Sequence, residues 1–179
     1  MVIVHDFGID LLTYHQRGKG NDFPIFTKCN HCHSRGTLHR HGFYHRFGIT
    51  EDQTLAIPIC RIKCTSCLKT FSILPSFLIP YFQHTIHTVI ARLLALIEGK
   101  KANGIRQLLA FYYKRYMKQL NWVHMVFVDW GYVVQFSGDL KEEAIKYLKM
   151  ILDFGESPFF RRSRGHLSTY FMAPPFYHI

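Results

Sequence analysis

Cys29-Asn30-His31-Cys32 and Cys64-Thr65-Ser66-Cys67 are the two stretches on which the reading of this chain turns. Each is a C-x2-C pair, and 31 residues separate Cys32 from Cys64. A tight turn with a cysteine at both ends aims two thiolates at one point, and two such turns supply the four soft ligands of a closed tetrahedral zinc site. In a reducing cytoplasm the pattern reads as a metal framework rather than as disulfides. Cys29, Cys32, Cys64 and Cys67 are therefore the expected ligands of one Zn2+. Four thiolates leave no open coordination position, so the expected role is structural, not catalytic. Two other readings stay open: a pair of independent redox motifs, for which no flanking βαβ pattern is seen, or replacement of one cysteine by His31, His33, His39 or His41. Cys60 lies off both pairs and is expected to be a small packed apolar residue.

Between the pairs, His39 to Phe47 is basic and aromatic, with Gly42 and Gly48 as bends. The run Thr54 to Cys64 is rich in β-formers and returns to the second pair, and its Pro58 belongs on an edge or at a bulge. These features predict a small antiparallel β zinc ribbon with its ends pinned by the metal, a unit too small to fold without it.

Within this ribbon, the C-x2-C pair, then Arg40-His41-Gly42-Phe43-Tyr44-x-Arg46, then Ile62-x-Cys64-x-x-Cys67-x-x-Thr70-Phe71-Ser72-x-Leu74-Pro75-Ser76-Phe77-Leu78-x-Pro80-Tyr81, form one continuous pattern. It resembles the transposase-associated zinc-ribbon proteins of bacterial and archaeal insertion sequences. The resemblance covers about residues 28 to 82 and implies a mobile-element context more than a mechanism. The glycine common after each pair in such ribbons is replaced here by His33 and Leu68.

Downstream, helical spacing takes over. Ile86, Val89, Ile90, Leu93, Leu94 and Ile97 recur at three- and four-residue intervals, with Gly99 as a C-cap. The basic turn Lys100 to Gly104, a short helix Ile105 to Ala110, a turn at Ala110 to Tyr112 and a basic third helix to Leu120 resemble the helix-turn-helix of transposases and resolvases. That reading makes Tyr112 to Leu120 the start of a recognition helix. A helical hairpin with a wet basic face fits the same residues. Trp122 to Phe136 suits either a strand pair or a continued helix. Asp139 to Leu152 has an N-cap in Asp139, a capping-box partner in Glu142, and a Glu142–Lys146 pair.

The expected fold is α+β, a small antiparallel β zinc ribbon followed by an α-helical, helix-turn-helix-like region. The expected segments are an N-terminal piece at 1–26, the ribbon with a Pro-rich connector at 27–82, a helical domain at 83–153 and a poorly ordered basic and aromatic tail at 154–179.

Lys and Arg number 22 against 12 Asp and Glu, a formal charge of +10, and such an excess favours polyanionic partners. Seven basic side chains against two acidic fall in 28–71, and seven against one in 92–118. Arg35, Arg40, Arg46, Arg61 and Lys63 on the ribbon are the candidate nucleic-acid contacts there. Lys100, Lys101, Arg106, Tyr113, Lys114, Arg115 and Lys118 are those of the helical half. No apolar run has the roughly 18 residues of a membrane span, and MVIVHDFGID lacks the features of a secretory signal, so a cytoplasmic, nucleoid-associated protein is expected. No P-loop occurs, and only 50 residues follow Asp129, too few to complete a two-metal nuclease core, so no catalytic residue is assigned. The expected partners are DNA and a separate transposase subunit. The alternatives are a protein-interaction ribbon docking such a subunit, which the aromatic content of 16% permits, or a transcriptional regulator.

Overall fold

The computed structural model describes residues 1–133 and 135–174. The chain divides into two compact units, Met1–Thr85 and Ile86–Ile179. Among the described residues there are one four-stranded sheet and six α-helices, a mixed α+β fold.

The first unit is built on an antiparallel hairpin of β2 (Leu38–Ile49) and β3 (Thr54–Cys64). Its turn closes because Thr50 Oγ1 accepts from the backbone N–H groups of Asp52 and Gln53, at 3.3 and 3.2 Å. The register slips between Arg40 and Gly42, where Gly42 takes a φ of +105°. The expected bend is thus a β-bulge. β4 (Thr70–Pro75) pairs antiparallel with β3 only over Cys60 to Lys63, so Pro58 meets a ladder neighbour on one side alone, consistent with its missing N–H.

Residues 1–26, set apart in the sequence, belong to the same unit as this sheet. β1 (Val2–His5) runs parallel to β4, completing the order β1-β4-β3-β2. α1 (Leu11–Arg17) is capped by Asp10, whose carboxylate accepts from Thr13 N–H at 2.8 Å. Tyr14 on α1 is fully buried and donates to Pro58 O at 2.9 Å. Tyr14, Phe23, Cys60, Ile62, Phe71 and Ile73 share one core. The Pro-rich stretch after residue 74 is not a plain extended connector. It ends β4 and then turns twice, with Leu78 N–H on Pro75 O and Phe82 N–H on Ile79 O.

The second unit begins with α2 (Ile86–Ile97), which buries the apolar face its spacing predicts. Gly99, at φ +77°, closes it in a Schellman motif: Lys100 N–H reaches Ala95 O at 2.8 Å and Gly99 N–H reaches Leu96 O. α3 (Arg106–Lys118) then runs without a break. The turn expected at Ala110 to Tyr112 does not form, and the separate third helix is the second half of α3. No glycine or proline interrupts this stretch, and Tyr112 and Tyr116 lie one helical turn apart in the core. α4 (Leu120–Asp129) follows after Gln119, so the 122–136 run is helical up to Asp129 and turns at Trp130 and Gly131. Val134, within that run, lies outside the described residues.

α5 (Leu140–Phe154) starts on Asp139, which accepts from Lys141 and Glu142 N–H at 2.7 and 3.3 Å. Lys146 pairs with Glu143 rather than with Glu142. Glu143 is fully buried and also accepts from Ser137 N–H at 2.7 Å. The tail is not a loose arm up to residue 174. α6 (Glu156–Ser163) buries Phe159 and Phe160, and Phe171 and Met172 follow them into the core. Phe159 stacks on Phe127 with centroids 5.6 Å apart. A helix of eight residues is too short to print a period, which is why this stretch reads as irregular. Pro175 and the rest of the tail lie outside the described residues.

Candidate metal centre

The two cysteine pairs have the same local geometry. In each, the N–H of the residue after the second cysteine reaches back to the carbonyl of the first: His33 to Cys29 O and Leu68 to Cys64 O, both at 3.0 Å. His33 and Leu68 each adopt φ +61°, the left-handed conformation in which glycine is favoured. The turns therefore keep their shape despite the two replaced glycines, and each residue bears the steric cost of that conformation, about 1–2 kcal/mol. β2 starts just past the first pair and β3 ends in Cys64, so the register Leu38↔Cys64 brings the two knuckles to one end of the sheet.

All four sulfurs lie within 4.8 Å of one another. Cys29 Sγ and Cys67 Sγ are 3.8 Å apart, and Cys32 Sγ and Cys64 Sγ 3.7 Å. A tetrahedral ion with metal–sulfur bonds of about 2.3 Å requires sulfurs about 3.8 Å apart, so the residues fit such an ion. This cluster of four cysteines could hold a metal ion, and no histidine substitutes within it. Cys60 sits apart in the core, 1% exposed, as expected of an apolar packing residue.

The sulfurs have outer partners that the sequence did not single out. Ser34 Oγ lies 3.0 Å from Cys32 Sγ, Thr37 Oγ1 lies 3.3 Å from Cys64 Sγ, and the two hydroxyls are 2.7 Å apart. Hydroxyls shortly after a C-x2-C pair were the available signal. The Thr37 hydroxyl and the Cys67 backbone N–H pull the Cys64 thiol down to about 5. The Ser34 hydroxyl and N–H lower Cys32 as well. Cys67 is pushed up to about 11: the Lys69 N–H acts against this, but desolvation and the three neighbouring sulfurs prevail. Four thiols this close resist common ionisation until a cation joins them.

The basic side chains fall into separate settings. Arg61 and Lys63 share one sheet face, with the Arg61 guanidinium 6.0 Å from the Tyr44 ring centroid. Arg40 lies on the opposite face, 5.7 Å from both the Phe23 and Phe43 rings. Arg35 is exposed beside the first knuckle. Arg46 is half-buried and donates to Ile79 O at 3.2 Å and to Phe82 O, which makes it a clamp on the 79–82 turn and removes it from the open surface. In the second unit, Lys100 and Lys101 are exposed in the turn before α3, and Lys100 pairs with Glu98 at 2.6 Å. Arg106 opens α3, while Tyr113, Lys114 and Lys118 are exposed along it. Arg115 is half-buried, its guanidinium 4.8 Å from the Phe111 ring centroid.

Residues 27–104 match a family model described as a domain of unknown function, DUF6431. The matched stretch holds all four clustered cysteines, the β2–β3 hairpin, β4 and α2, and it stops before α3. The comparison with curated proteins finds no match. No solved structure matches either. The DUF6431-like segment thus carries the candidate metal centre, while α3 to α6 lie beyond it. No described helix is long and apolar enough to cross a membrane.

Proposed function

We propose that this chain is a zinc-binding, DNA-binding protein that serves as an accessory or DNA-recognition module of a transposition system. The observation that carries this reading is the distribution of charge over a metal-pinned scaffold. From 28 to 71, seven basic side chains face two acids, and both acids, Glu51 and Asp52, sit in the hairpin turn away from the knuckles. Arg61 and Lys63 stand on one face beside Tyr44, an arrangement suited to phosphates and a stacked base. Zinc is the ion this reading assigns: four thiolates at tetrahedral spacing suit Zn2+, and a closed shell suits a structural role. In the second unit α2 and α3 form the helix pair, and Lys114 and Lys118, one turn apart on α3, supply phosphate contacts. The likeness of the ribbon to those of insertion sequences supports the transposition setting.

Electrophoretic shift of the zinc-loaded protein on random and element-end DNA, from low to high salt, tests the reading. Phosphate-driven binding falls steeply with salt, by about 0.9 in log–log slope for each phosphate contact. Binding with no salt dependence, or none at all, refutes it. The protein-docking alternative rests on the apolar 74–81 stretch, and there Leu78 and Ile79 are turned inward while Tyr81 stands 84% exposed.

A further inference from the structure

A groove of about 600 Å³ opens between α2, α3 and the start of α5 in the second unit. Its apolar wall is formed by Leu96 and Ile97 of α2 and by Leu109 and Ala110 of α3. Its charged groups are Arg106 and Lys141, both exposed and both cationic. Neither has an acidic partner among the described residues. Gly104, at φ +130°, forms part of the wall, and a Cβ there would lie 3.4 Å from Nη1 of Arg92, a side chain only 8% exposed. A third cation, the Arg92 guanidinium, therefore lies directly behind the groove. The first turn of α3 adds to the positive potential, since Ile105 supplies no side-chain cap.

We propose that this groove binds a small amphipathic carboxylate, an apolar chain or ring ending in an anion. The volume falls within the range of roughly 300–1,000 Å³ for pockets that take one small molecule. An apolar wall excludes a strongly hydrated ligand, while a rim of two cations without an acid selects an anionic end. A ligand here would bridge α2, α3 and α5. The inference does not depend on DNA binding, although Arg106 serves both readings, so the test is made without DNA.

Decanoate, below its micelle concentration, is titrated calorimetrically into the full-length protein, with uncharged decanol as the comparison. The expected result is saturable 1:1 binding of decanoate, at least tenfold tighter than decanol. Ala110→Trp fills the groove from an exposed position on α3 and should abolish the heat while the thermal midpoint stays unchanged. Arg106→Ala with Lys141→Ala should reduce decanoate to the level of decanol and leave decanol where it was. Absence of saturable decanoate binding overturns the proposal, as does wild-type binding by Ala110→Trp or equal affinity for decanol. If an acidic amphipathic helix binds where decanoate does not, the groove is a protein dock and the proposal also fails.

Discussion

Thr37→Val separates a built metal site from four cysteines that merely lie close together. The substitution keeps the branched shape and removes one hydroxyl, which lies 3.3 Å from Cys64 Sγ and 2.7 Å from Ser34 Oγ. Ser34 in turn sits 3.0 Å from Cys32 Sγ, so a single hydroxyl pair orients one sulfur from each knuckle. Removing an outer partner of a metal ligand typically costs ~10–100-fold in affinity, or about 1.4–2.8 kcal/mol. The pH dependence has a definite sign. In the metal-free site the Thr37 hydroxyl favours the Cys64 thiolate and helps hold its pKa down at about 5. Without Thr37 its pKa rises, so the metal must displace a further proton, and the affinity gap between variant and wild type should widen as pH falls from 8 to 6. Chelator competition for zinc at both pH values measures this. Cys64→Ser should lose the metal, and Cys60→Ala should retain full stoichiometry. Equal zinc affinity of Thr37→Val and wild type at both pH values would falsify the reasoning.

Other consequences are as direct. A Cβ at Gly48 would lie 2.4 Å from Leu11 Cδ1, so Gly48→Ala should destabilise the first unit by about 1–3 kcal/mol, with partial recovery in a Leu11→Val background; an unchanged urea midpoint would contradict this packing. Glu143 sits at about 2 against an ordinary 4.5, because Lys146, the Ser137 N–H and Tyr147 together outweigh the opposing effect of its burial. Its folded pKa is the lower one, so the stability it contributes is full above about 4.5 and is lost as pH falls toward about 2. Glu143→Gln should flatten that acid limb in thermal midpoints followed by circular dichroism, and a limb of undiminished steepness would remove Glu143 as its source. Replacing Arg61, Lys63, Lys114 and Lys118 by Ala should lower the salt slope of DNA binding by up to about 4 × 0.9, whereas Arg46→Ala should act mainly on stability. A retained slope in the fourfold variant would exclude these contacts.

The metal cluster and the hairpin were legible in the sequence because their signals are local. A C-x2-C turn places both of its sulfurs within four residues, and alternating β-formers between two such turns leave only an antiparallel return. The helices α2 and α5 were legible for the same reason, since their apolar period and their caps at Gly99 and Asp139 lie within one segment. The sequence also placed the basic excess, although not which cations remain at the surface.

Only the tertiary structure decided the rest, because those features depend on partners distant in the chain. β1 is a strand because β4, some 70 residues later, offers it an edge to pair with. Arg46 became a clamp because the 79–82 turn passes beside it with carbonyls to bond. The break imagined at Ala110 to Tyr112 vanished because Tyr112 and Tyr116 both pack inward, and Tyr116 donates to Ala144 O of α5 at 2.7 Å. Burial of an aperiodic aromatic tail against Phe127 could not be read from its own residues. What a residue does with its neighbours in sequence is written in the chain, whereas what it meets across the fold is settled when the backbone brings them together.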